Sequence, residues 1–319
     1  MQRPCRRPTS NSASATKRAG AALEASRPAR WLGRLAHIAH ANTRKGSRQN
    51  IAFHYDLGND FYGQWLDPDL IYSSALYADG NESLEEAQVA KLDRIMALLE
   101  PADDASVLEI GCGWGALALA LAGRHRAHVT GLALSTQQLA HARGRVAEQK
   151  LQAQVDLRLQ DYRDVEGCCD RIISIEMLEA VGERYWPVYF ETLRRRLKPG
   201  GIAVLQVITI ADAQFDHYRR NPDFIQRYIF PGGMLPSPAA MAEQASRAGF
   251  TIEKCDAFGD SYARTPVEWR RRFLRAWPRI EALGFDTSFR RLWEYCLCYC
   301  EAGFRAGRVD VGLYRLRLA

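Results

Sequence analysis

Three alternating glycines that follow a short apolar run mark the first candidate site in this sequence. The run Val107-Leu-Glu-Ile-Gly-Cys-Gly-Trp-Gly115 leads into the apolar segment Ala116-Leu-Ala-Leu-Ala-Leu121. This pattern is typical of a strand, a tight turn and a helix. Glycines let the backbone approach a bound molecule closely, and the free N–H groups of a helix start can bind a carboxylate or phosphate. Because glycines also serve ordinary βα turns, the loop alone predicts either a nucleotide-type site or a structural turn.

The residues after the second predicted strand distinguish between classes of nucleotide. A dinucleotide site is expected to combine a G-x-G-x-x-G loop with an acidic residue at the end of strand two. Here strand two, His128–Leu134, is followed by Ser135-Thr-Gln, with no carboxylate. This argues against NAD and favours S-adenosylmethionine. Gln138 has two interpretations, as the partner of Ser135 in a capping box or as a contact to the cofactor at the same helix end.

Strands and helices alternate along the chain around this loop. After the strand at 107–110 we predict strands at 128–134, 155–160, 171–176 and 202–209, with helices at 136–150 and 187–197. Such alternation indicates an α/β fold, a Rossmann-like, doubly wound and mostly parallel sheet of the class I S-adenosylmethionine-dependent methyltransferase type. Its ligand site is expected at the carboxyl ends of the strands, where Gly111, Gln138, Asp161 and Glu179 would gather.

The chain outside this core divides into a basic tail, a cap and an insert. Eleven basic residues and one acidic residue fall within positions 1–50, although the whole chain carries only +6. We predict a disordered tail at 1–30, with an organelle transit peptide as the alternative. The methyltransferase domain would span 31–319, with a helical cap at 31–100, a core at 101–319 and a lid insert at 210–235. The capping box Ser83-Leu-Glu-Glu86 predicts the start of the last cap helix.

Three later segments allow further predictions. The segment Arg264–Arg279 spaces Trp269, Phe273 and Trp277 four residues apart among arginines. This spacing fits either an interfacial helix on anionic phospholipid or an aromatic stripe buried in the core. The alternating segment Asp310–Leu318 predicts an edge strand that completes the sheet. The insert after strand five is rich in aromatic residues, as a cover over an acyl channel would be.

Composition excludes several classes of protein. No run of about 18 apolar residues is present, so we predict no membrane span. The eight cysteines contain no C-x-x-C pair, so we expect reduced thiols in a cytoplasmic protein and no metal site. Asn221-Pro-Asp-Phe224 superficially resembles a nucleic-acid methyltransferase motif, but it follows strand five instead of strand four. We therefore expect no nucleic-acid partner.

Several long motifs, in order, resemble one known family, the cyclopropane-fatty-acyl-phospholipid synthases and mycolic-acid methyltransferases. The resemblance runs from about His54 to the C-terminus and predicts a catalytic domain without the large N-terminal domain of enterobacterial-type synthases. Besides the glycine loop, the motifs are His54-Tyr-Asp-Leu-Gly-Asn-Asp-Phe-Tyr62, Tyr72-Ser73, Leu84-Glu-Glu-Ala-Gln-Val-Ala-Lys-Leu92, Leu159-Gln-Asp-Tyr-Arg-Asp164, Tyr228-Ile-Phe-Pro-Gly-Gly-Met-Leu-Pro236 and Ala302-Gly-Phe-Arg305.

This resemblance implies transfer of the S-adenosylmethionine methyl to the double bond of an unsaturated phospholipid acyl chain. Proton loss would then close a cyclopropane ring or leave a methyl-branched product. The partners would be phospholipid acyl chains at the inner membrane face, where the protein would be peripheral, and a homodimer is a further expectation. The cofactor would be held by Tyr72, Ser73, Glu109, Gly111, Cys112, Gly113, Gln138 and Tyr162. The catalytic set would comprise Glu179, Tyr262, Cys300, Gln206 and Ser74.

The resemblance also implies a bicarbonate ion as the general base. Glu179, Tyr262 and the backbone of Cys300 would help hold this ion. Glu179 alternatively serves only as a helix N-terminal carboxylate, and Tyr262 only as a packing residue. Three residues depart from the family pattern. The family often has Cys at the position of Ser74, and His at the positions of Ala180 and Gln206. Because a Gln side chain cannot carry a proton, these departures make methyl transfer a firmer prediction than ring closure. The alternative is a binding protein that has lost its catalytic activity.

Overall fold

The computed structural model describes residues 42–44, 46, 47 and 57–318. The predicted tail at 1–30 and the first part of the predicted cap, including its motif at 54–56, lie outside the described residues. Within them, seven strands form one mixed sheet in the order β3-β2-β1-β4-β5-β7-β6. The strands are β1 (Ser106–Ile110), β2 (His128–Ala133), β3 (Val155–Leu159), β4 (Cys169–Ile175), β5 (Leu197–Ile210), β6 (Phe250–Ala257) and β7 (Val309–Leu318).

Parallel pairing of β1 to β5 confirms the predicted doubly wound sheet. Strand β1 lies at the centre, with β2 on one side and β4 on the other, and all four interstrand pairings among β1 to β5 are parallel. Strands β2 and β3 lie on one side of β1, and β4 and β5 lie on the other, so the order of the strands reverses at β1. This reversal places a crevice beyond the carboxyl ends of β1 and β4. Ligands of such sheets bind at this switch point.

The prediction of an edge strand at Asp310–Leu318 is wrong in its placement. Strand β7 pairs antiparallel with β5 on one side and with β6 on the other, so it lies inside the sheet. The edge strand is β6, which the sequence pattern did not indicate because most of its residues are partly or fully exposed. By contrast, Leu313 and Leu316 of β7 are completely buried, because both faces of an interior strand are covered.

Helices cover both faces of the sheet. They are α1 (Asn59–Tyr62), α2 (Leu84–Leu99), α3 (Ala116–His125), α4 (Thr136–Glu148), α5 (Leu178–Val181), α6 (Trp186–Arg196), α7 (Asp212–Arg220), α8 (Phe224–Tyr228), α9 (Pro238–Arg247), α10 (Gly259–Ala282) and α11 (Thr287–Arg305). The predicted capping box opens α2, where Ser83 accepts from the Glu86 N–H and the Glu86 side chain accepts from the Ser83 N–H. This reciprocal pair satisfies two donors that a helix start otherwise leaves free.

Helix α10 buries its aromatic stripe. Trp269, Phe273 and Trp277 are each less than 7% exposed, and Phe273 contacts Phe61 of α1. The interpretation of this helix as an interfacial element on phospholipid is therefore not supported, because its apolar face packs against α11 and the cap. No helix among the described residues is both long and apolar enough to cross a membrane.

The insert after β5 folds into two short helices, α7 and α8, followed by a return to the core. It is tied to α5, the helix that follows β4, by the Met234 N–H, which donates to the Glu179 carbonyl at 2.7 Å. The α8 start is fixed by a capping box between Asp223 and Gln226. These bonds place the insert over the carboxyl ends of β4 and β5.

Candidate active site

One cavity of about 720 Å³ lies at the carboxyl ends of the strands. Its floor is the glycine loop between β1 and α3, and its far wall is formed by the insert and by α11. Cavities of this size are typical of small-molecule and cofactor sites. Of the site residues that the sequence predicts, the following line the cavity: Tyr72, Ser73, Glu109, Gly111, Cys112, Gly113, Gln138, Tyr162, Glu179, Tyr262 and Cys300. The fold thus brings together residues that are far apart in the sequence.

The glycine loop adopts a backbone that other residues rarely take. Gly111, Gly113 and Gly115 have φ values of +85°, +52° and +85°, in the left-handed region that favours glycine. A Cβ at Gly111 would lie 2.7 Å from the Met177 Cγ. At Gly113 a Cβ would meet nothing within 4 Å, because that position faces open space beside the cavity. The loop therefore exposes bare backbone to a bound molecule.

Glu109 projects from β1 into the floor of the cavity. It is 3% exposed, and its Oε2 atom has no hydrogen-bond partner. Burial raises the pKa of this carboxyl to about 8, although a backbone hydrogen bond from Ala118 opposes the rise. A buried carboxyl oxygen without a partner is costly, so Oε2 marks a position where a cationic or hydrogen-bond-donating ligand would be stabilised.

Gln138 and Tyr162 lie on the opposite side of the glycine loop. The Gln138 N–H donates to Ser135 Oγ at 3.3 Å, so its backbone caps α4 while its side chain lines the cavity. The two interpretations of Gln138 are therefore compatible. The Tyr162 hydroxyl is buried and has no partner, and burial raises its pKa.

Asp161 does not join the cavity, contrary to the prediction. Its carboxylate forms a buried ion pair with Arg163, with a distance of 2.6 Å between Oδ2 and Nη2. The same carboxylate caps the short 3₁₀ helix at Tyr162–Asp164 by accepting from the Arg163 N–H. Its charge is thus already compensated within the protein.

Tyr72 and Ser73 form another wall of the cavity, and their segment is held by α2. Lys91 is buried, and its Nζ donates to Ser73 Oγ at 2.7 Å. Burial lowers the pKa of Lys91 to about 8, against the attraction of Glu176 and Asp67. The Tyr72 ring contacts the Trp269 ring with centroids 5.2 Å apart.

Glu176, at the end of β4, was missed as a site residue by the sequence analysis. Its Oε1 accepts from the Ser74 N–H at 2.9 Å and from Gln206 Nε2 at 2.7 Å. Its Oε2 accepts from the Tyr262 hydroxyl at 2.8 Å. Ser74 and Gln206 do not line the cavity themselves, but both contact a carboxylate that does. The only sequence signal for Glu176 was its place at the end of a predicted central strand.

Glu179 lies one turn further on, in α5. Its Oε1 accepts from the Ile208 N–H, while its Oε2 is buried without a partner. Burial, and next the neighbouring Glu176, raise the pKa of Glu179 to about 8. The two carboxyl groups therefore differ, since Glu176 accepts three hydrogen bonds from other residues and Glu179 accepts one.

The backbone role expected for Cys300 stays a prediction. Cys300 lies inside α11, where the backbone N–H groups bond to carbonyls four residues earlier. Its side chain lines the cavity. On the same helix, Phe304 stacks on Tyr262 with ring centroids 4.3 Å apart, which fixes the Tyr262 hydroxyl toward Glu176.

The remaining wall of the cavity is mostly apolar, although the insert also contributes polar residues such as Gln214, His217 and Asn221. It is built from side chains of β5, the insert and α11, among them Ile208, Ile210, Tyr218, Met234, Leu235 and Leu297. Such a wall suits a hydrocarbon chain, because burial of apolar surface is favourable at about 25 cal/mol per Å².

Comparison with known proteins identifies related chains. A family model described as mycolic acid cyclopropane synthetase matches residues 42–313. The tuberculostearic acid methyltransferase of Mycobacterium tuberculosis is 40% identical over 278 residues, which are 85% of this chain and 65% of that protein. The cyclopropane-fatty-acyl-phospholipid synthase of Escherichia coli (strain K12) is 40% identical over 260 residues, which are 81% of this chain and again 65% of the relative. The chain thus spans less than two thirds of the length of both relatives.

A solved structure also superposes on this fold. A mycolic acid cyclopropane synthase in complex with SAH (S-adenosylhomocysteine) and CTAB has a TM-score of 0.80 at 30% identity. The alignment covers 84% of this chain and 97% of that one. The sheet and its flanking helices are therefore those of a class I S-adenosylmethionine-dependent methyltransferase.

Proposed function

Because the chain belongs to the mycolic acid cyclopropane synthetase family, we propose that it transfers a methyl(ene) carbon from S-adenosylmethionine to the double bond of an unsaturated phospholipid acyl chain, forming a cyclopropane. One observation carries this proposal. The glycine loop, the carboxyl groups of Glu109, Glu176 and Glu179, and a mostly apolar wall all line a single cavity. A polar cofactor and a hydrocarbon chain can therefore meet in the same space.

The floor of the cavity fits the cofactor. When bound, S-adenosylmethionine supplies an electrophilic methyl group on a sulfonium ion. The bare backbone at Gly111 and Gly113 admits close approach, and the unpartnered Oε2 of Glu109 offers an acceptor and a charge to a cationic ligand. Gln138 and Tyr162 provide further polar groups at the same end. In this proposal these residues bind and orient the donor.

The apolar wall would receive the acyl chain. The insert places Tyr218, Met234 and Leu235 opposite the sheet, and α11 adds Leu297. These side chains exclude water from the reacting centre, which strengthens every electrostatic interaction there. An alkene carries no proton to be removed before attack, so no strong nucleophile activator is needed at this stage. What the reaction needs is stabilisation of the cation that follows.

Aromatic and anionic groups are arranged to provide that stabilisation. Tyr262, Trp269 and Tyr72 line the cavity and pack against one another, and aromatic faces attract cations. Glu176 and Glu179 both follow β4, and both line the same cavity. A base held close to the cation can then remove a proton. We propose Glu179 and Tyr262 as members of this catalytic set.

The acceptor would reach the site from a membrane surface, since the proposed acyl chains belong to phospholipids. Tyr228 and Tyr295 are more than half exposed and lie beside Phe224 near the insert. Amphipathic tyrosines of this kind are enriched where proteins meet lipid. This supports a peripheral position for the protein.

A second candidate is a non-cyclising C-methyltransferase that gives methyl-branched acyl chains. Two observations favour it. Gln206 stands where the family often has histidine and cannot carry a proton, and one relative at 40% identity is a tuberculostearic acid methyltransferase. The two candidates share the methyl transfer and differ in which proton is lost.

Expression of the chain in cells rich in monounsaturated phospholipids tests both candidates. We expect fatty acids that are heavier by one carbon and its hydrogens. A ring and a methyl-alkene have the same mass, but mild hydrogenation adds hydrogen to the alkene and leaves the ring intact. If no methylated acyl chain appears while the purified protein still binds S-adenosylmethionine, the acceptor is not an unsaturated acyl chain and the proposal fails.

A further inference from the structure

The carboxylate of Glu176 occupies a site with three hydrogen-bond donors. These come from the Ser74 backbone, the Gln206 side chain and the Tyr262 hydroxyl, at 2.9, 2.7 and 2.8 Å. The donors belong to three separate parts of the fold, since Gln206 lies on β5, Tyr262 lies on α10 and Ser74 precedes α2. Glu176 is only partly buried, and the face left open lines the cavity.

This arrangement does not fit a bicarbonate ion at the same position. The family resemblance would direct Tyr262 toward such an ion, while Ser74 and Gln206 are two of the positions that depart from the family pattern. Here they direct their donors at a carboxylate that belongs to the protein. A free anion placed beside the Glu176 carboxylate would meet a like charge, and like charges at close range are strongly disfavoured. The donor set that would hold the ion is already used.

Glu176 is the better candidate for the ionised group of the two neighbouring carboxyls. Burial raises the pKa of Glu176, but the Ser74 N–H, Tyr262, Lys91 and Gln206 all oppose the rise. Glu179 has one donor, and its pKa is raised to about 8. Hydrogen bonds to the charged form favour ionisation, so Glu176, with three donors, gives up its proton more readily than Glu179, which carries a proton near neutral pH.

We infer that Glu176 is the general base of the reaction and replaces an external bicarbonate ion. This inference rests on the proposed function. The π electrons of the alkene bond to the transferred methyl carbon, the bond from that carbon to sulfur breaks with both electrons on sulfur, and the neighbouring alkene carbon becomes cationic. The Glu176 carboxylate then takes a proton from the transferred methyl, and the electron pair of that C–H bond closes the ring.

The same base accounts for the alternative product. If Glu176 takes its proton from the chain carbon next to the cation, the electron pair of that bond forms a new double bond and leaves a methyl branch. In both cases the protonated Glu176 returns its proton to solvent before the next turnover. Gln206 holds the carboxylate in place and needs no proton of its own, which explains why an amide suffices at this position.

The test uses the purified full chain with S-adenosylmethionine and vesicles of dioleoyl phosphatidylglycerol, in buffer stripped of carbon dioxide. We expect the wild-type rate to be the same with and without added sodium bicarbonate. Glu176→Gln keeps the shape of the side chain but removes the base, so turnover should fall by about 100-fold or more. S-adenosylmethionine binding and the melting temperature should be retained. Glu191→Gln, at an exposed ion pair on α6, is the matched control and should keep the wild-type rate.

A second variant guards against a purely structural effect. Glu176→Ala leaves an anion-sized space beside the same three donors, so added formate or bicarbonate should restore part of the lost rate. A wild-type rate that collapses without bicarbonate and returns with it would overturn the inference. So would a Glu176→Gln variant with the wild-type rate, or a Glu176→Ala variant that no added anion restores. Absence of any methylated product from the wild-type protein would instead overturn the proposed function itself, and the inference with it.

Discussion

Binding of S-adenosylmethionine should release protons from the cavity. The free protein holds Glu109 with a pKa of about 8, because the carboxyl is buried and its Oε2 has no partner. At pH 7 a group with this pKa is roughly 90% protonated. The cofactor carries a sulfonium and an ammonium cation, and a positive charge nearby favours the ionised carboxylate. The incoming cation and the proton therefore compete for the same site.

The size of the effect follows from the two pKa values. An opposite charge lowers the pKa of a carboxyl by about 1 to 3 units. If the pKa of Glu109 falls from about 8 to about 6, roughly 0.8 proton leaves per bound cofactor at pH 7. Glu179, whose pKa is also about 8, adds to this release if the cation reaches it. Because protons are released, cofactor affinity should rise with pH up to about 8 and then level off.

Isothermal titration calorimetry at pH 7 in buffers with different ionisation enthalpies measures the released protons as a slope. Glu109→Gln is neutral at every pH, so it should reduce the slope by roughly 0.8, whereas Glu191→Gln should leave it unchanged. A wild-type slope near zero would refute the reasoning. So would a slope that Glu109→Gln does not alter.

Three further substitutions test other parts of the structure. Glu179→Gln should lower turnover by about 100-fold with little loss of cofactor binding, because a nearby cation lowers the pKa of a carboxyl and is stabilised by the resulting carboxylate, which an amide cannot form; an undiminished rate would remove Glu179 from the mechanism. Gly131→Ala would place a Cβ 2.6 Å from the Leu157 Cδ2, so chemical denaturation should show a loss of about 1 to 3 kcal/mol; unchanged stability would contradict the tight packing. Asp161→Ala should cost about 3 to 5 kcal/mol, because it leaves Arg163 buried and unpaired, while the same change at the exposed Asp103 should cost little.

Local patterns were sufficient for most of the core. Strand β1 begins one residue before the predicted Val107, and α3 begins at the predicted Ala116. The capping box at Ser83 marks the start of α2 in the structure as in the sequence. These features depend on the period of apolar residues and on turn or cap residues a few positions away, so neighbouring residues alone specify them.

Such patterns do not predict where a strand or helix lies within the fold. Alternation along Asp310–Leu318 predicts a strand, but it does not say which strands lie on either side, and β7 proved to be interior. The stripe at Trp269 and Phe273 is equally compatible with lipid and with a protein core. Only the packing of α10 against α11 and the cap decides that it is buried.

The sequence by itself determined the glycine loop and, through the missing acid after strand two, the class of cofactor, because both depend on residues that lie close together along the chain. The tertiary structure alone decided where the charge of the site resides. Glu176 meets Gln206 across 30 residues, Tyr262 across 86 and Ser74 across 102. No local pattern records such a meeting, because it exists only once β4, β5, α10 and the segment before α2 have packed around one cavity.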